Sequence, residues 1–222
     1  KIQNTASSVL EYSGTSAQTI SNLNSTEVSS LVVKNTAGVT LADNLTAATV
    51  SINPDAKLTI NADKTLTATS GITLNSDASG TATIINNGII AATATVEQYV
   101  TTGRNWYISS PVTNATTASL SGKGSIYYYN EPTAEWLSPS DGSTLNPLRG
   151  YISRVTTSTG TVDFSGTLNN GYKSLTLTRT NAVAKTGFNL VGNPYPAYLD
   201  WAAVTTVNTG LMPTAWFRTQ TA

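Results

Sequence analysis

The sequence predicts an all-β chain in two parts: a β-solenoid over residues 1–98, then an antiparallel β-sandwich or jelly-roll-like domain over residues 99–222. Three observations lead there. Short apolar pairs at period two recur through the first part, separated by turn residues. Of seventeen aromatic residues, only Tyr12 precedes Tyr99, so composition changes abruptly near Glu97–Tyr99. The second part carries longer, ring-bearing strands and no helical period.

In the first part the pairs are Leu31/Val33, Val39/Leu41, Val50/Ile52, Leu58/Ile60, Ile72/Leu74 and Ala82/Ile84, with single anchors at Leu45 and Leu66. Asn35–Gly38, Asn53-Pro54-Asp55, Asn61-Ala62-Asp63, Ser70-Gly71, Ser76–Gly80 and Asn86-Asn87-Gly88 supply turns between them. A sandwich would have longer strands with bulky core residues. Strands this short, with only Leu, Ile, Val and Ala pointing inward, suit a solenoid, whose narrow core stacks like on like and excludes rings. Three short strands per coil give three to four coils, each of roughly twenty to twenty-five residues.

In the second part the expected strands are Val96–Val100, Trp106–Ser109, Ser125–Tyr129, Gly150–Arg154, Thr161–Phe164, Ser174–Thr178, Phe188–Val191 and Ala215–Arg218. Asn170-Gly171 predicts a hairpin between Leu168 and the Ser174–Thr178 strand. Asp200 is placed to cap one short helix from Trp201 to Val204. This half also repeats itself. Arg104–Pro111, with Trp106 and Pro111, matches Gly187–Pro194, with Phe188, Gly192, Asn193 and Pro194; both read ring, polar, aliphatic, then small residues and proline. Ser125–Asn130 is echoed by Thr214–Arg218. The second copy stops soon after its aromatic strand, so the repeat is expected to be incomplete at the C-terminus. A motif used twice reads as scaffold: Gly192-Asn193-Pro194 with Pro196 sets chain direction, and Tyr195, Tyr198 and Trp201 pack the corner.

Charge and missing residue types bound the function. Charged residues are 11%, with twelve Lys and Arg against twelve Asp and Glu. That leaves no basic surface for nucleic acid or for an anionic membrane. There is no histidine and no cysteine, which removes the Ser-His-Asp triad, thiol nucleophiles, disulfides and the usual zinc ligands. No apolar run of about twenty residues exists to span a bilayer as a helix. A start at Lys1 without an apolar leader suggests a mature or excised segment.

The remaining candidates lie on one stretch. Glu131 and Glu135 are the best acids for two-carboxylate glycoside chemistry. Following a strand, however, they read more simply as solvated loop residues, and an enzyme is not expected. Lys34, Lys57 and Lys64 are scattered singly and give no basic cluster for a lyase. Trp136, Tyr128 and Tyr129 are the best rings for stacking on a pyranose, since they join apolar area to a polar edge. The stretch Tyr128–Trp136, with Glu131 and Glu135, is therefore the candidate ligand surface. Trp106, Tyr151, Phe164 and Phe188 are expected in the core. Arg104 and Arg149 sit beside ring-bearing strands, suited to cation–π stacking or to pairing with Asp163 or Asp200. Asp43, Asp55, Asp63 and Asp77 lie near turns, where Ca²⁺ finds oxygen ligands. The calcium-binding nonapeptide is absent, and a turn role explains them more simply. No other cofactor is implied.

GRNWYISSPV, SIYYYNEPTAEW, NPLRGYISR, FSGTLNNG and GFNLVGNPYPAYLDW, in that order, resemble segments of large surface and secreted proteins of Bacteroidetes, cargo of the type IX secretion system. The upstream LTINADKTLTATSGITLNSDASGTATIINNG is similar to the solenoid-like stretch that precedes this module in them. The resemblance covers about Leu31 to Trp216. It implies export by the type IX machinery to the cell surface or medium and an adhesin-like or carbohydrate-contacting role, and it implies no catalytic residues. The expectation is a non-enzymatic, extracellular structural or adhesive segment. The alternatives are a carbohydrate-binding accessory module of a polysaccharide-degrading protein, or a filament or surface-layer subunit that self-associates by strand addition.

Overall fold

The structure, a computed structural model, describes residues 7–23, 26–181, 185–208, 210–212 and 214–216. It is nearly all β, with 7% helix, and its first half is a β-solenoid-like arrangement of about four turns.

The first coil contains β1 (Val9–Tyr12) and β2 (Gln18–Ile20), the second β3 (Glu27–Val33) and β4 (Val39–Leu41), and the third β5 (Leu45–Ile52) and β6 (Lys57–Ile60). In the fourth coil the long strand divides at the Ser70-Gly71 corner into β7 (Thr65–Ala68) and β8 (Ile72–Leu74). Two short strands, β9 (Ser76–Asp77) and β10 (Gly80–Thr81), form a hairpin before β11 (Thr83–Asn86). A last partial coil supplies β12 (Ile89–Ala91) and β13 (Ala94–Val100). One parallel sheet stacks β1, β3, β5, β8 and β13, with β7 and β12 beside the first half of β5. A second parallel sheet stacks β2, β4, β6 and β11.

Each stacked position recurs about every twenty residues, the period of a solenoid. Strand alternation turns one side of each strand inward, and the parallel register places like on like. Leu10, Leu31, Val50, Ile72 and Ala94 form one buried ladder. Ile20, Leu41 and Ile60 form another. A third runs Tyr12, Val33, Ile52, Leu74, Val96 and Phe164, all buried. The expected exclusion of rings therefore fails at the first coil, where Tyr12 is in the core. An end position has a neighbour on one side only, so a ring fits there.

Several elements differ from the sequence expectation. The Leu45 anchor and the Val50/Ile52 pair belong to one eight-residue strand. β1 and β2 precede the first predicted pair, although Leu10/Tyr12 already alternates. The compositional boundary between residues 98 and 99 falls inside β13, which pairs in parallel with β8 and antiparallel with β18 (Gly160–Gly166). The change in aromatic content is thus not a gap in hydrogen bonding.

The rest of the second half builds a four-stranded antiparallel sheet in the order β14 (Asn105–Ile108), β17 (Tyr151–Arg154), β15 (Ile126–Asn130), β16 (Glu135–Leu137). The helix forms as expected. It is α1 (Trp201–Val207), capped by the Asp200 carboxylate, which accepts from the Ala203 amide at 3.2 Å. The predicted strand Ala215–Arg218 falls partly outside the described residues, as does its echo of Ser125–Asn130; residues 214–216 are not in a strand.

The strands expected at Ser174–Thr178 and Phe188–Val191 do not form, so the Asn170-Gly171 turn opens no hairpin. Side chains take the backbone groups a ladder would use. The Asn189 side chain accepts from the Thr178 amide at 3.3 Å and donates to the Thr178 carbonyl at 2.9 Å. Only Val191 makes a bridge, to Arg149. Phe188, expected in the core, is 52% exposed, and Tyr198, expected to pack the corner, is 82% exposed. Tyr151 and Phe164 are buried as expected, and Trp106 is half-buried against the core.

The repeated turn motif closes the open end of the solenoid. Its two copies touch: Ser109 Oγ donates to the Asn193 carbonyl at 2.6 Å, and any Cβ at Gly192 would overlap the Ser109 side chain. Pro111 and Pro194 are both buried. Between the copies lies Asn169, 4% exposed. Its amide donates to the Ser110 carbonyl at 3.0 Å and the Pro194 carbonyl at 2.9 Å, and its oxygen accepts from Thr113 Oγ1 at 3.0 Å. Asn193 folds its own turn, accepting from the Tyr195 amide and donating to the Ala197 carbonyl. Tyr195 donates its hydroxyl to the Gly171 carbonyl at 2.7 Å. Pro196 then accepts from the Ile84 amide at 2.8 Å, at the edge of the second parallel sheet. β18 covers the edge of the first.

Candidate binding face and sheet fork

Alternation in the antiparallel sheet separates two faces. Ile108, Ile126, Tyr151 and Ser153 point inward and are buried. On the outer face Tyr107, Ile152 and Tyr127 lie in register across β14, β17 and β15. Tyr129 and Trp136 sit opposite each other on β15 and β16, with ring centroids 5.4 Å apart and planes tilted 59°. Tyr107 is 36% exposed, Tyr127 39% and Trp136 45%. The outer face is therefore an open, ring-bearing surface on a sheet anchored from behind.

The predicted ligand residues share the β15–β16 hairpin, yet they do not share one role. Trp136 is exposed and Tyr129 half-buried. Tyr128 turns to the inner face, where the Arg149 guanidinium lies over its ring at 4.6 Å. Arg104 lies over Trp106 at 4.3 Å, and the Trp106 indole donates to the Thr101 carbonyl at 2.9 Å. Among the described residues neither arginine pairs with Asp163 or Asp200. Tyr107 and Tyr127 were missed, because their meeting depends on a strand register that local sequence does not encode.

Glu131 corrects the reading of a solvated loop acid. It opens a 3-10 turn (Glu131–Thr133) between β15 and β16 and is 2% exposed. Its carboxylate accepts from the Gly187 amide at 2.9 Å, the Thr180 amide at 2.7 Å and Thr180 Oγ1 at 3.1 Å. The Gly187 amide does most to lower its pKa, burial pushes the other way, and the Thr180 amide and the Thr178 and Thr180 hydroxyls add to the lowering, to about 2. A general acid needs the opposite environment. Glu135 is exposed beside Asn130. The two carboxyls therefore stand in unlike environments, Glu131 closed over by residues 180 and 187 and Glu135 open to solvent.

This geometry sets a pH dependence. A depressed carboxyl contributes stability that is complete above its unfolded pKa and is lost as pH falls toward its folded value. The melting temperature of Glu131→Gln is expected to lie roughly 5 °C or more below that of the wild type at pH 7. The gap should close between the ordinary carboxylate pKa, about 4.5, and about 2. Thermal melts across that range check it; a gap independent of pH would show that the carboxylate charge is not what holds Thr180 and Gly187 in place.

Beside Glu131 the sheet forks. β15 pairs with β17 only at Ile126 and Tyr127, after which Tyr128–Asn130 pair with β16. The chain before β17 turns instead to Leu190–Gly192: Gly150 donates to the Leu190 carbonyl at 3.0 Å and Gly192 to the Leu148 carbonyl at 2.9 Å. Gly150 is required there, since a Cβ would lie 2.7 Å from Leu190 Cγ. A cavity of about 110 Å³ opens in the fork, walled by Tyr129, Glu131, Arg149, Thr176 and Asn189. A larger cavity of about 230 Å³ lies between Ile89–Ile90 and Thr167–Leu168, with no ionisable side chain in its wall.

The aspartates suggested for Ca²⁺ have structural roles. Asp55 and Asp63 take left-handed turn conformations, Asp43 accepts from the Asn22 amide, and Asp77 accepts from Ser79. Among the described residues no three acidic side chains gather to hold a metal ion, and no helix is long and apolar enough to cross a membrane.

A family model described as "Domain of unknown function (DUF8693)" matches residues 15–221, running through both the solenoid and the aromatic sheet. No curated protein and no solved structure matches the chain.

Proposed function

The chain belongs to the family of domains of unknown function DUF8693, and on that footing we propose that it is a non-enzymatic structural and adhesive segment of an exported protein. The stacked coils act as a stiff stalk, and the outer face of the antiparallel sheet makes the contact. One observation carries the reading: Tyr107, Tyr127 and Trp136 stay open to solvent on a sheet whose other face is packed into the core. Stacked coils seal one another and resist bending. The sheet serves as one layer of the sandwich expected for the second half. Export by the type IX route to the bacterial surface belongs to the same proposal and rests on the sequence motifs.

A second reading, a carbohydrate-binding module, is favoured by the in-register row. Tyr107 and Tyr127 flank Ile152, so they are two strand spacings apart, roughly 10 Å. Flat apolar area at such intervals suits the faces of successive pyranose units. The purified chain is expected to bind an immobilised glycan or cell-envelope preparation. Trp136→Ala is expected to weaken that binding about tenfold, the effect of losing one stacking surface, with the melting temperature unchanged. Equal retention of wild type and variant would remove this face from the contact.

A further inference from the structure

The sheet fork places the Arg149 guanidinium beside a cavity. Among the described residues the Arg149 guanidinium makes no ion pair and no side-chain hydrogen bond. Its position is nevertheless fixed, because it lies over the Tyr128 ring at 4.6 Å and its backbone is pinned by the bridge to Val191. A guanidinium held over a ring by its charge keeps N–H donors that the ring does not use. Glu131 in the same wall is not the acceptor for Arg149, since Thr180 and Gly187 donate to it; its negative charge opposes an anion there, and the guanidinium has to outweigh it. The Asn189 amide is likewise committed, donating to Thr178 and Gly187. At about 110 Å³ the cavity is too small for a pyranose and large enough for one charged substituent. Tyr129, which walls the cavity, also packs against the exposed Trp136 ring.

We propose that the fork receives the carboxylate or sulfate group of an acidic saccharide, with the Arg149 guanidinium as its donor. The inference rests on the carbohydrate reading of the outer face and narrows it to an anionic ligand. Guanidinium–oxyanion pairs are strong and directional where a partner is available.

Titration calorimetry of the full chain with tetragalacturonate, its carboxyl-reduced counterpart and a sulfated galactan oligosaccharide tests it. At least one acidic probe is expected to bind about tenfold or more tightly than the neutral one, with affinity falling as salt rises. Which acidic probe prevails identifies carboxylate or sulfate as the substituent. Arg149→Gln should bring acidic binding down to the neutral level. Arg149→Lys keeps the charge without the fork and should fall between. Melting temperatures confirm that each variant folds; should Arg149→Gln fail to, the wild-type comparison and Arg149→Lys decide. Equal affinity for acidic and neutral probes overturns the oxyanion site and leaves the ring face standing. Failure to bind any of the three overturns both.

Discussion

Phe164→Ala is expected to destabilise the chain by about 3–5 kcal/mol, the usual cost of removing a fully buried phenylalanine. Phe164 is 1% exposed and lies at the end of the ladder that begins at Tyr12. Its neighbour Val96 presents a narrow aliphatic surface, so no nearby side chain can expand to fill the space. Truncation leaves a cavity between the last coil and the strand that covers it. The melting temperature should fall by roughly 10 °C. In a stacked array the damage spreads from neighbour to neighbour. Amide exchange should therefore accelerate first in β13 and β8 and last in β1. Uniform acceleration would show that the coils unfold as one block. A loss below about 1 kcal/mol would mean that β18 is not a structural part of the stack.

Asn169→Ala is expected to cost about 3 kcal/mol, from a side chain that contributes little apolar area. The loss comes from the carbonyls of Ser110 and Pro194, which are left buried with nothing in the Asn169 position to satisfy them. Each unsatisfied group costs about 1–3 kcal/mol. Asn169→Asp should be worse at neutral pH, because a carboxylate would face two carbonyl oxygens where donors are required. Denaturant unfolding measures both. A cost within about 0.5 kcal/mol for alanine would mean that water replaces the amide and that the two turn copies hold together without it.

The solenoid was legible because its signal is local. Alternation in Leu58/Ile60 or Ile72/Leu74 already states which side faces in, and parallel stacking repeats that choice from coil to coil. Tyr12 broke the rule because the rule describes interior coils. In the aromatic half the decisive facts are contacts between distant segments. Phe188 looks like a core ring from its neighbours, yet Asn189 and Gly187 commit the adjacent backbone to side-chain bonds, and no strand forms to carry the ring inward. Glu131 looks like a loop acid until residues 180 and 187 close over it. The fork beside Arg149 needs a third segment, at Leu190–Gly192, to pull two neighbouring strands apart. The twofold use of the small-Pro turn was visible in sequence; that the copies meet through Asn169 was not.

β13 accepts a parallel neighbour on one side and an antiparallel neighbour on the other. A strand running the other way cannot seed another coil, so growth stops at that edge. The same reversal frees the opposite end from any fixed count, because β18 and the Pro196 turn bond to β13 and β11, in the fourth coil and the partial coil after it. Coils inserted between β1 and β8 would leave every contact of the ring-bearing sheet intact. Each would carry that sheet outward by one strand spacing, about 4.8 Å. The distance from the base of the rod to its tip is thus adjustable in equal steps by duplication of some twenty residues, with no redesign at the tip.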